Sequence, residues 1–154
     1  MAGGEPGIRM TEIKREIRLR AKRSQLNELL DRLDTDLRAS GCPVEKSEEI
    51  RICVEEIFVN IASYAYPDTS GEVTIKERIC ENSPQEKILF LVFMDKGIPF
   101  NPLEHGTPDI SLPEQERRIG GLGIYMVKNM TDRIWYEDRD DTNCLYLEYR
   151  WQQV

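Results

Sequence analysis

The sequence predicts an α+β domain, a two-layer sandwich in which a mixed, mostly antiparallel sheet carries three helices on one face. Three observations lead there. Apolar and charged residues alternate with period two in several stretches, two helical stripes follow one another directly, and the chain closes on two alternating segments joined by a turn.

The first strand rests on Ile13, Ile17 and Leu19 alternating with Lys14, Glu16 and Arg18. A helix follows, with Leu26, Leu29, Leu30, Leu33 and Leu37 on one stripe, ending at Ser40-Gly41 with Pro43 beyond. Ser47, with Glu48 and Glu49 behind it, is the expected N-cap of a second helix that runs to Pro67. Val73, Ile75 and Ile79 mark the next strand, ENSPQE a turn, and KILFLVFMD a central strand apolar almost throughout. Residues 96–119 hold four prolines and almost no periodicity, which predicts a long functional loop. A third helix follows on Leu122, Met126, Val127 and Met130. The last hairpin, DRIWYED and TNCLYLEYRW, sets Leu145, Leu147, Tyr149 and Trp151 on one face.

Composition narrows the function. The chain has 154 residues, 32% of them charged, and a net charge of -7. It is expected to be a flexible N-terminus over 1–11 and a single domain over 12–154, large enough for a core without staples. An acidic balance disfavours a phosphate-backbone binder, so no nucleic acid partner is expected. The basic run Lys14 to Arg23 is read as solvated surface or as a rim for an acidic partner. The four cysteines form no C-x-x-C pair and read as reduced core thiols of a cytoplasmic protein. No apolar run suits a membrane span or a secretion signal. With His105 the sole histidine, chemistry must rest on carboxylates, amides and backbone.

Three groups of residues stand out. Glu56 and Asn60 lie four apart on the second helix, hence on one side, and Asn60 sits among Phe58, Val59, Ile61 and Ala62. Its amide therefore needs a partner, a metal being one, although the pair is equally a solvated helix flank when taken alone. Asp95 ends the central strand just before Gly97 and Pro99; it is either a turn-forming residue or an acceptor for an exocyclic amine, with Gly97 letting backbone approach a flat ring. The stretch GGLG opens the third helix, where free amides and the helix dipole favour anions. Glycines there are also common linkers.

Together, in this order, Glu56-x3-Asn60, Asp95-x-Gly97, a long loop and Gly121-Leu122-Gly123 resemble the nucleotide-binding boxes of the GHKL ATPases. VEEIFVNIASYAYP, DKGIPFNPL and IGGLGIYMVKNMTD are most similar to the stand-alone anti-sigma-factor serine kinases, over about residues 12 to 151. The resemblance implies a Bergerat-type ATP-binding fold with ATP and Mg2+ as cofactors. It implies Asn60 as the metal ligand, Glu56 as general base, Asp95 with Gly97 at the adenine, and Gly121, Leu122 and Gly123 at the phosphates. Residues 101–120 correspond to an ATP lid, whose end carries Arg117 and Arg118, read as solvated lid charges or as charge-stabilising donors to a γ-phosphate.

Departures from the family pattern are Pro99-Phe100, where histidine-kinase domains have a second glycine, and Tyr64, where related kinases often have histidine. The implied activity is phosphorylation of a serine on a small anti-sigma-factor antagonist, with a sigma factor as the alternating partner. A homodimer is also implied, for which the first strand and helix offer an interface. Two other readings use the same residues: a non-catalytic, nucleotide-dependent binding module and a stand-alone ATPase. Glu56 counts against the first.

Overall fold

The computed structural model describes residues 12–104 and 121–153. The expected flexible N-terminus, most of the lid, His105, Arg117 and Arg118 lie outside the described residues. Five strands form a single sheet: β1 (Ile13–Arg20), β2 (Glu72–Ser83), β3 (Glu86–Asp95), β4 (Arg133–Arg139) and β5 (Thr142–Gln152). Their order is β1-β2-β3-β5-β4, and every neighbouring pair is antiparallel, so the sheet is not mixed.

Three helices, α1 (Leu26–Ala39), α2 (Val44–Tyr64) and α3 (Gly121–Met130), share one core with one set of alternating strand residues. Leu29, Leu33 and Leu37 of α1 and Ile50, Val54, Ile57 and Phe58 of α2 meet Val73, Ile75, Leu89, Phe93, Leu147 and Tyr149 there. These are the alternation and stripe positions of the sequence, so burial follows the two periodicities directly.

Two boundaries differ from expectation. α1 ends in a left-handed turn at Gly41 (φ 71°), with Cys42 N–H bonded to Leu37 O at 3.0 Å and Gly41 N–H to Arg38 O at 3.1 Å. That compact cap turns the chain at once, so α2 starts at Val44 behind Pro43, not behind Ser47. Proline's preset φ favours the entry into a helix. The ENSPQE stretch is also mostly strand: β2 runs on to Ser83 with an irregularity between Glu81 and Ser83, leaving Pro84-Gln85 as the connection. At the other hairpin Asp140 and Asp141 both take positive φ (54° and 63°), as a tight two-residue loop requires.

Cys53 and Cys144 are buried, whereas Cys42 and Cys80 are only partly so; all four are free thiols. The core-thiol expectation therefore holds for two.

Between α1 and the sheet the core face breaks its apolar rule. Arg15 forks Asp36 with two bonds of 3.1 Å, and Glu77 lies buried beside them at 3% exposure. Burial pushes the Glu77 carboxyl up to about 9, and the neighbouring Asp36 adds to it. Asp36 is itself pushed up by burial, but hydrogen bonds from Arg15 and Glu77 bring it below its ordinary value. Glu77 is thus the protonated member, donating to an ionised Asp36. A carboxyl raised from 4.5 to about 9 on folding contributes stability that is complete below its unfolded pKa and lost as pH rises through the folded one. Glu77→Gln should consequently flatten the fall in unfolding free energy between about pH 5 and pH 9. Urea titrations at a series of pH values test this, and parallel curves for the two proteins would show that Glu77 folds ionised.

Candidate functional site

At the end of the sheet nearest α3, the second half of α2, the end of β3 and the start of β5 enclose a pocket of about 140 Å³. Its walls are apolar, from Ile57, Ile61, Phe93, Ile98, Phe100, Ile124 and Leu145, and its polar groups include Asn60, Asp95 and Asn143. Such a pocket, apolar with a few convergent polar atoms, suits a flat heteroaromatic ligand better than a charged one.

Asp95 closes β3 and faces Asn143 directly across the β3–β5 pair. Asn143 uses every hydrogen-bonding position of its amide. Its Nδ2 donates to Asp95 Oδ1 at 2.9 Å and to Ile98 O at 3.0 Å; its Oδ1 accepts from Phe100 N–H at 3.1 Å and from the Tyr136 hydroxyl. The Gly97 N–H also donates to Asp95 Oδ1, at 2.9 Å. Asp95 is thus both a turn-forming residue and a pocket residue, since no hydrogen bond among the described residues engages its Oδ2. Burial raises its carboxyl above the ordinary range, and the bonds from Asn143 and Gly97 pull it back in part.

Asn60 Nδ2 donates to Glu56 Oε2 at 2.8 Å and to Glu56 O at 3.0 Å. The helical spacing read from the sequence is therefore a direct contact, and Asn60 Oδ1 has no hydrogen bond among the described residues. Asn60 lines the pocket while Glu56 stands one turn back, outside its lining. Gly123 explains what holds Glu56: a Cβ added there would overlap the Glu56 carboxylate. α3 can approach α2 this closely because the position has no side chain. At Gly97 a Cβ would overlap the backbone oxygen of Ala65, to which Ile98 N–H donates at 2.9 Å. Gly121 is the first residue of α3; the side chain of Leu122 lies outside the described residues.

Of the predicted residues, Asn60 and Asp95 line the pocket, whereas Glu56 bonds to Asn60, Gly97 bonds to Asp95 and Gly123 packs against Glu56 from outside the lining. Tyr64, which departs from the family pattern, is a half-exposed wall of the same pocket. Two partners were not singled out in the sequence. Asn143 shares the parity of Leu145, Leu147 and Tyr149, so an amide on the inward face of a strand was the available signal. Tyr66 had none: its hydroxyl accepts from Lys96 N–H at 2.8 Å and donates to Glu72 O at 2.7 Å, clamping the α2 exit to the strand ends.

Among the described residues no cluster of three or more His, Cys, Asp or Glu could hold a metal, and no helix is long and apolar enough to cross a membrane.

Comparison with known proteins agrees with this geometry. The histidine kinase-like ATPase domain family matches residues 19–149, and the chain belongs to that family. The serine-protein kinase RsbW of Bacillus mycoides (strain KBAB4) is 26% identical over 113 residues, covering 71% of this chain and 68% of the relative. The proteins of the same name from Bacillus thuringiensis (strain Al Hakam) and Bacillus cereus (strain 03BB102) are each 28% identical over the same shares.

The two glycines should respond differently to alanine. Gly97→Ala pushes against backbone and is expected to cost about 1–3 kcal/mol of stability, read by urea unfolding. Gly123→Ala meets only the end of a flexible side chain, so the fold should persist while Glu56 is displaced. Comparable destabilisation in both variants would mean that α3 is anchored by more than this contact.

Proposed function

We propose that this member of the histidine kinase-like ATPase domain family binds ATP in the pocket between α2 and α3 and transfers the γ-phosphoryl group to a serine of a partner protein. The observation that carries the reading is the Glu56–Asn60 pair, held in contact beside a pocket lined by Asp95, whose Oδ2 has no hydrogen bond among the described residues. Asp95 accepts a hydrogen bond from the adenine amino group, and the saturated amide of Asn143 keeps that carboxylate in position. Glu56 takes the proton of the attacking serine hydroxyl as its oxygen bonds to the γ-phosphorus and ADP leaves. Phosphoryl transfer asks little more of a protein than such positioning.

Asn60 suits Mg2+ as a single oxygen ligand, because this ion keeps waters and phosphate oxygens for the rest of its shell and needs no protein cage. Bound there, Mg2+ would neutralise charge on the phosphates. The backbone of Gly121, Leu122 and Gly123 opens a helix, where free N–H groups favour phosphate.

The names of the Bacillus relatives support a serine kinase. Under this reading the substrate is a serine on a small anti-sigma-factor antagonist in the cytoplasm, and the chain holds either that antagonist or a sigma factor.

Glu56→Gln should lower the rate of phosphoserine formation about 10²–10⁴-fold, the usual contribution of a general base, with ATP affinity nearly unchanged. Asp95→Asn should instead weaken ATP binding and erode the preference for ATP over GTP, because the acceptor becomes in part a donor. Labelled-ATP transfer assays and calorimetry separate the two effects. Full transfer by Glu56→Gln would remove Glu56 from the chemistry; tight ATP binding with no transfer by the parent protein would leave a nucleotide-dependent binding module.

A further inference from the structure

The face of the sheet turned away from the helices carries a second concavity, of about 650 Å³, bordered by Lys14, Lys76, Arg78, Phe90, Trp135 and Tyr146. We propose that this concavity is a docking surface for an acidic, partly apolar segment of a partner protein. The proposal is independent of the ATP reading, since the two sites lie on opposite faces of the sheet.

The first ground is charge. The chain as a whole is at -7, yet the outward positions of β1 and β2 in this concavity set Lys14, Lys76 and Arg78 against Glu16 alone. Register sharpens the imbalance: Lys14 stands directly opposite Arg78, a like-charged cross-strand pair that costs stability unless an acid intervenes. Arg78 is bonded to Glu12, and Lys76 stands opposite Glu16, whose carboxylate is bonded to Arg18; Lys14 and Lys76 themselves have no ion pair among the described residues. An incoming carboxylate relieves both.

The second ground is the apolar half of the concavity. Phe90, Trp135 and Tyr146 are only partly buried, and the three described helices pack on the opposite face of the sheet. Arg133 lies over the Trp135 ring at 4.5 Å, Arg78 over Phe90 at 5.8 Å, and Trp135 stacks on Tyr146 at 4.9 Å and 5°. These contacts preorganise the rings as a wall in which each ring already has a stacked ring or an arginine against it, which suits side-chain packing along their edges better than stacking of nucleobases. A second copy laid on this face would bring like charges together. The basic run at the start of the chain thereby gains a role as the positive rim of this surface.

The test uses the whole protein and a fluorescein-labelled peptide of repeating Leu-Glu-Glu units, with its Leu-Lys-Lys counterpart as control. The acidic peptide should bind at least about tenfold more tightly than the basic one, weaken with salt, and change the fluorescence of Trp135. The double variant Lys14→Glu/Lys76→Glu, and separately Trp135→Ala, should each lose about tenfold in affinity with ATP binding unaltered. Circular dichroism checks that each variant is folded, and Lys14→Gln/Lys76→Gln replaces the charge reversal if it is not. Equal binding of both peptides, or unchanged affinity in the folded variants, overturns the proposal. So does preferential binding of an oligothymidylate through the same residues, or a dimer in sedimentation that the variants dissolve.

Discussion

The amide of Asn143 is the interaction on which the site depends. One side chain ties β5 to the carboxylate that ends β3, to the loop beyond it at two backbone points, and to Tyr136 on β4. Inside a protein, hydrogen bonds of this kind reinforce one another, and an incomplete set is costly. The floor of the pocket is therefore built from the sheet itself, and the apolar walls from α2 and α3 are laid against something already rigid. A binding surface on strands keeps its geometry better than one on loops alone.

Two of the buried acids on the sheet, Asp95 and Glu77, are handled in opposite ways. Asp95 receives two N–H donors that offset part of the rise burial imposes on its carboxyl, and so favour the acceptor form at the pocket. Glu77, without such donors, gives up its charge and becomes a donor to Asp36. The first arrangement serves recognition. The second lets an arginine and two carboxyl groups sit between α1 and the sheet with one net negative charge fewer to bury.

Much of this was legible in the chain. Strand alternation and helical stripes identified the five strands and three α-helices of the described residues, and the four-residue spacing of Glu56 and Asn60 set them on one side of α2, though it did not announce their hydrogen bond. Boundaries were less readable where one cap controls the next element: the turn at Gly41 starts α2 before Ser47 is reached. Asn143 was not legible from its sequence neighbours, because three of its four partners lie 43 to 48 positions away and meet it only through strand register. The role of Gly97 was legible only in part, since nothing local says that the end of α2 will press against it.

Gly123 carries a consequence for how such a protein can change over generations. Its missing side chain and the carboxylate of Glu56 occupy one shared volume, although the two positions are far apart in sequence and belong to different helices. Neither can be enlarged unless the other gives way. A side chain gained at 123 would therefore be felt first at the carboxylate of Glu56, and through it at the amide of Asn60.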